Sequence, residues 1–211
     1  DNIEFKINNT KYYFDEENPL SKASNTNINT PIIVSEKIIA KGPDKTRFLI
    51  SADNIFLNES LQQIKSSYPG SYKGLRLGNL SKKTRYNKIR SYPENTDVVV
   101  NYFFETKYPS NKGSSAVTDA RNVSILVQHS LIRMPDNSYK PRTDDTRVGF
   151  FTTQSNDMTS LDRVNYRDFI NRWRLEKKYP DKELSDPVNP IVWWIENTTP
   201  YEFRDIIKEG V

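Results

Sequence analysis

The sequence predicts an α+β fold in which antiparallel β structure predominates. Three observations lead there. The runs Pro31–Ala40, Arg47–Ala52, Val98–Glu105, Val123–Met134 and Val148–Thr153 are rich in β-branched and aromatic residues, and each is bounded by Pro, Gly, Asn or Asp. Clear helix start and stop residues occur in only one place, near the C-terminus. The aromatic residues (12 Tyr, 10 Phe and 3 Trp among 211) can bury a large area with few side chains.

Taken in order, Ile3–Ile7 alternates apolar and polar residues, Asn8-Asn9-Thr10 reads as a turn, and Tyr12-Tyr13-Phe14 resumes an extended pattern. Together they predict a hairpin. Asn18 to Thr30 has the Asn, Ser and Thr content of a loop. Ser60–Ile64 is expected to form one or two helical turns, and the polar, glycine-containing stretch from Tyr68 to Pro93 a surface excursion. Val98–Glu105 and Val123–Met134 predict two long antiparallel strands. The loop between them, Lys107 to Arg121, has the composition of a flexible tip. Asn165–Lys178 carries both periodicities: Tyr166, Phe169, Ile170 and Trp173 fit a helix face, whereas Trp173 and Leu175 fit a strand. We read it as strand.

The last residues hold the sharpest pattern. Asp186-Pro187-Val188-Asn189-Pro190 is held extended by its prolines. Ile191-Val192-Trp193-Trp194-Ile195 is a continuous apolar run of strand length, expected to be buried on both faces. Core burial of Trp193 and Trp194 is favoured here over a sugar-stacking platform. A helix then begins, with Thr199 as cap, Pro200 at the first helical position and Glu202 completing a capping box. Phe203, Ile206 and Ile207 form its apolar stripe. Gly210 ends it, with Val211 as the hydrophobic partner of that ending.

Composition excludes several classes. The chain is 35% hydrophobic and 27% charged, as a folded globular protein is. Its net charge of +4 is spread along the chain. The densest basic group, Lys82-Lys83-Thr84-Arg85 with Lys88 and Arg90, is short and reads as solvated surface, so no nucleic-acid partner is expected. Without Cys there is no disulfide, thiolate metal site or thiol nucleophile. No apolar run reaches the roughly 18 residues of a membrane span, and no signal peptide is visible.

Chemistry is equally restricted. The single histidine, His129, lies in a strand-like run and is read as structural. Zinc peptidases need imidazoles at helical spacing beside a glutamate base, and one His cannot supply H-E-x-x-H. No G-x-S-x-G, P-loop or dinucleotide fingerprint occurs. The carboxylate pairs Glu16-Glu17, Asp144-Asp145 and Asp181 with Glu183 read as solvated acids rather than a glycosidase pair. No catalytic residue and no metal ligand is therefore assigned, and the chain alone is not expected to be an enzyme.

Three segments carry a resemblance. They are Lys140-Pro141-Arg142-Thr143-Asp144-Asp145-Thr146-Arg147-Val148-Gly149-Phe150-Phe151, then Ile170-Asn171-Arg172-Trp173-Arg174-Leu175-Glu176-Lys177-Lys178, then Leu184 to Ile195 running into Arg204–Val211. In order and spacing they resemble the uncharacterised domain that precedes the catalytic domain in bacterial zinc-dependent metallopeptidases of the met-zincin type. The resemblance is strong from Lys140 to Val211, weaker over Asp97–Met134 and vague before that.

The resemblance implies a β-rich N-terminal domain over 1–185, and over 186–211 the opening strand and helix of a truncated zincin-like catalytic domain. It implies a non-catalytic role, packing on and supporting a catalytic domain in cis and shaping its cleft. Zinc would sit in that parent domain, with none in this chain, and the protein would be exported. Trp173, Trp193, Trp194, Phe203 and Ile207 are the candidates for domain packing. Asp144, Asp145 and Arg147 are candidates for a cleft or latency contact, weighed against a plain turn with an Asp–Arg ion pair. The alternative is a free-standing β-rich binding module for glycan or protein, using Tyr12, Tyr13, Tyr68, Tyr72 and Tyr86.

Overall fold

The computed structural model describes residues 1–65, 75–109, 115–135 and 139–210. The structure is mostly β, and its sheets are mainly antiparallel. The chain divides into two compact units, residues 1–137 with 156–165, and residues 138–155 with 166–211.

The first unit is organised by β8 (Asn95–Glu105) and β9 (Asn122–Ile132), which pair antiparallel over all eleven residues without a register shift. The expected pair of long strands is thus present. Alternation explains it, with Val99 buried in addition on the opposite face. Val98, Val100, Tyr102 and Phe104 of β8 point inward and are buried, and opposite them lie His129, Val127, Ile125 and Val123 of β9. On the other side of β8 lie β6 (Asn79–Leu80) and β7 (Arg85–Ser91).

β1 (Asn2–Lys6) pairs antiparallel with β3 (Ile32–Lys37), not with the next extended segment. The expected hairpin is therefore corrected: β2 (Tyr12–Tyr13) pairs in parallel with β10 (Thr152–Asp157). β2 offers two residues, whereas β3 offers six, with Val34 buried opposite Phe5, so β1 finds more partner surface there. The Asn18–Thr30 loop holds a 3₁₀ turn at Pro19–Ala23, started by the Asn18 side chain and Pro19, followed by a short helix α1 (Ser24–Asn27). β4 (Ala40–Lys41) and β5 (Phe48–Leu49) form a short hairpin with Lys45 at positive φ.

The helical turn expected at Ser60–Ile64 lies instead at α2 (Asp53–Phe56). At the expected site the Glu59 carboxylate accepts from the amides of Ile64 and Lys65, and Asn58 accepts from Ser60, so side chains replace helical bonding. α2 places Ile55 and Phe56 against Val34 and the inward face of β8, completing one buried cluster.

The expected excursion from Tyr68 to Pro93 contains β6 and β7; its residues 68–74 lie outside the described residues. A bulge between Tyr86 and Lys88 shifts the alternation of β7, which hides the strand period. Lys107–Arg121 likewise falls partly outside, at 110–114.

The second unit contains the start of β10, which neighbours β11 (Tyr166–Ile170), and α3 (Tyr201–Glu209). The strand reading of Asn165–Lys178 holds for β11 only. The expected strand Ile191–Ile195 is corrected: it has no regular structure, and Val192, Trp193 and Trp194 are exposed. A strand forms only where a neighbour takes up its backbone bonds, and among the described residues none lies alongside. The family of helix signals is shifted by one residue: Pro200, not Thr199, is the cap, and it makes no side-chain capping bond. Gly210 closes the helix through the carbonyls of Ile206 and Ile207, while Val211 lies outside the described residues.

Candidate functional site

Two places in the molecule combine unusual exposure with defined geometry, and a third holds its only imidazole.

The first is the aromatic segment of the second unit. After β11 the chain folds back: Lys178 N–H donates to the Asp186 carbonyl at 2.8 Å, and Val188 N–H to the Glu176 carbonyl at 2.8 Å. Arg174 pairs with Glu176 at 2.7 Å. Lys177 Nζ reaches the carbonyls of Lys182 and Glu183 at 2.8 and 2.9 Å, which fixes the turn between these arms. The following segment enters α3 through Arg204, whose guanidinium donates to the carbonyls of Thr199 (3.0 Å) and Asn197 (2.7 Å) and stacks 4.1 Å over the Tyr201 ring. Arg204 thus orders the entry to α3 where the capping box was expected; no spacing rule would single it out.

On this framework the apolar side chains point to solvent. Trp173 is 68% exposed, Trp193 69%, Trp194 90%, Phe203 52% and Ile207 38%. The stripe of α3, with Ile206 also exposed, is amphipathic, yet none of its residues is buried. Core burial of the two tryptophans is therefore overturned, because nothing among the described residues covers them.

The second place is the turn at Asp144–Val148. Asp145 accepts from Arg147 Nε at 2.9 Å, Arg147 Nη2 at 2.6 Å and the Arg147 amide at 3.0 Å. The Arg147 side chain holds the Asp145 carboxyl below the usual carboxylate range. Asp144 accepts from the Asp145 amide at 2.8 Å, and its own N–H donates to the Asp168 carbonyl at 2.7 Å. Both carboxylates serve the turn itself, and the Asp145–Arg147 pair is the plain ion-paired turn weighed above.

The third is His129 on β9. Its Nε2 lies 2.8 Å from the Tyr102 hydroxyl, which donates to the Phe56 carbonyl at 2.6 Å. Rings of Phe56 and Tyr102 flank the imidazole at 5.7 and 5.9 Å. Burial lowers the His129 pKa and pushes that of Tyr102 up to about 12. This is an internal brace joining β8, β9 and α2.

Among the described residues no group of three or more His, Asp or Glu is placed to hold a metal, and no helix is long and apolar enough to cross a membrane. The basic group around Lys83 is partly engaged: Lys83 pairs with Glu105, Arg85 lies 4.9 Å over the Phe103 ring, and Arg90 bonds Gln128 at 2.9 Å. Of the tyrosines of the binding-module reading, Tyr86 is engaged with Asp53 at 3.2 Å, and Tyr68 and Tyr72 lie outside the described residues.

The profile of a family described as "Domain of unknown function (DUF5117)" matches residues 2–178. The chain belongs to that family. The DUF5117 match takes in every strand from β1 to β11, together with His129, Asp144, Asp145, Arg147 and Trp173. It stops before Trp193, Trp194, Phe203 and Ile207. No curated protein and no solved structure matches the chain.

Proposed function

We propose that this DUF5117 chain is a non-catalytic, β-rich portion of a bacterial zinc-dependent metallopeptidase, and that residues 186–211 pack on a zincin-like catalytic domain in the same polypeptide. The observation that carries the reading is the exposure of Trp193, Trp194, Phe203, Ile206 and Ile207 along one short segment. Exposed apolar groups gathered this way mark a surface that another body covers. The motif resemblance over Lys140–Val211 supplies the identity of that body. Zinc and the general base would both belong to the catalytic domain.

On this reading, Ile191–Ile195 becomes a strand when a neighbouring strand takes up its backbone bonds, and the stripe of α3 is buried against the same neighbour. The Asp144–Asp145 turn acts as a rigid corner; the ion pair occupies Asp145, which disfavours a latency role. An exported location follows from the resemblance alone.

The test is twofold. The coding sequence beyond Val211 should encode H-E-x-x-H, and a polypeptide that includes it should bind zinc. In that polypeptide, replacing Trp193 and Trp194 with Ser should lower peptidase activity or thermal stability. An open reading frame that continues without any H-E-x-x-H, or a double variant indistinguishable from the parent, would remove the proposal and leave the glycan- or protein-binding module as the next reading.

A further inference from the structure

Lys82, Lys83, Arg85, Lys88 and Arg90 put five cations into nine residues with no acid among them, in a chain whose whole excess is +4. The segment lies at the surface, as its composition predicts, and a bulge in β7 decides where three of its cations stand. Regular alternation would put Arg85 on one face of the sheet and Lys88 and Arg90 on the other. The bulge between Tyr86 and Lys88 resets that alternation. Arg85, Lys88 and Arg90 then lie opposite Asn101, Val99 and Asp97, every second residue of β8. All three share the face opposite the buried cluster of Val98, Val100 and Tyr102, in a row with about 6.5 Å between neighbours.

Little on that face answers the row. Arg90 has Asp97 at 3.8 Å, whose carboxylate also accepts from the Ser130 hydroxyl. Arg85 lies over the Phe103 ring, and among the described residues neither Arg85 nor Lys88 has a carboxylate partner. The β9 residues on the same face, Ser124, Leu126, Gln128 and Ser130, are uncharged.

We propose that this row binds an extended acidic peptide segment of a partner protein, with Asp or Glu at alternate positions. Complementary charge selects such a partner. Alternate side chains of an extended chain are the same ~6.5 Å apart, so successive carboxylates meet successive cations in charge-assisted bonds. Single-stranded nucleic acid, the other extended polyanion, draws affinity from stacking on aromatic rings. The one ring that β7, β8 and β9 place on this face, Phe103, already has Arg85 over it at 4.9 Å.

Fluorescence anisotropy tests this, with the full 211-residue chain titrated into a labelled peptide that alternates Glu and Ser. The Glu peptide should bind, less tightly as salt is raised, and a Gln–Ser peptide of the same length should not. Arg85→Glu combined with Lys88→Glu is expected to weaken binding at least tenfold. Lys11→Glu combined with Lys22→Glu changes the net charge equally outside this sheet, and should leave binding within about twofold. Arg85 and Lys88 are exposed, so their variant should fold, which circular dichroism checks. Lys88→Gln alone, a gentler change, should weaken binding about threefold. Equal affinity for the two peptides, or none for either, overturns the proposal; a row that only keeps further strands from adding to β7 gives that result. Equal losses in the two double variants overturn it too, because they show attraction to the chain's charge at large. So does tighter binding of an oligothymidylate than of the Glu peptide, which assigns the row to nucleic acid. None of these outcomes depends on the peptidase reading.

Discussion

His129 Nε2 donates to the Tyr102 hydroxyl at 2.8 Å, and Tyr102 in turn donates to the backbone carbonyl of Phe56 at 2.6 Å. The directions follow from the inventory of protons. The carbonyl can only accept and the hydroxyl has one proton, so the imidazole must carry hydrogen on Nε2. One chain of bonds thereby ties β9 to β8 and β8 to α2, at the buried centre of the first unit.

Tyr102→Phe keeps the ring and removes the link. The Phe56 carbonyl and the His129 N–H would both lose a partner in a buried site. A stability loss of about 1–3 kcal/mol is expected in urea denaturation. A loss under about 0.5 kcal/mol would show that the brace contributes little.

The same imidazole sets a pH dependence. Burial lowers the His129 pKa in the folded state, so below its ordinary value of about 6.5 the unfolded chain binds more protons than the folded one. The contribution is fully present above pH ~6.5 and is lost as pH falls through the folded pKa. Asp119, held down to about 2 chiefly by its bonds to the Arg121 side chain, begins to matter only below about pH 4. Urea midpoints measured from pH 7.5 to 5 should therefore fall, and His129→Gln should flatten the slope. Equal slopes would assign it to other groups.

Gly78 precedes β6 where that strand meets the end of β8. A Cβ there would collide with the Glu105 carbonyl oxygen and sit 2.8 Å from the Thr106 nitrogen. The Glu105–Thr106 peptide cannot yield as a flexible side chain would. Gly78→Ala should cost about 1–3 kcal/mol, as overpacking does, read as a lowered thermal midpoint. Gly149, with nothing near its Cβ position, is the control and should tolerate Ala.

Trp193→Ser and Trp194→Ser should leave the stability of the isolated chain within about 0.5 kcal/mol, because neither ring is packed. Binding of an environment-sensitive apolar dye should drop in both. Unchanged dye binding would locate the sticky surface elsewhere.

Alternation made β8 and β9 legible, since an inward Val-Val-Tyr-Phe series shows in any sequence. One bulged residue shifts the period of β7 and hides it, and the expected β1–β2 hairpin does not form because the longer partner β3 lies farther along the sequence. The environment of His129 depends on register with Val98 and on the placing of α2, neither of which is written locally. The apolar run Ile191–Ile195 shows the opposite failure. Its composition announces burial, but burial needs a partner that no described residue supplies. The Asp145–Arg147 turn is legible as a short-range pattern of opposite charges two residues apart.

Hydrogen exchange over residues 191–207, compared between this chain and a longer polypeptide from the same gene, tests the central claim most directly. Docking on a catalytic domain should leave these amides fast-exchanging in the isolated chain and slow them at least tenfold in the longer one. Equal exchange in both, with the longer polypeptide folded and loaded with zinc, would contradict it.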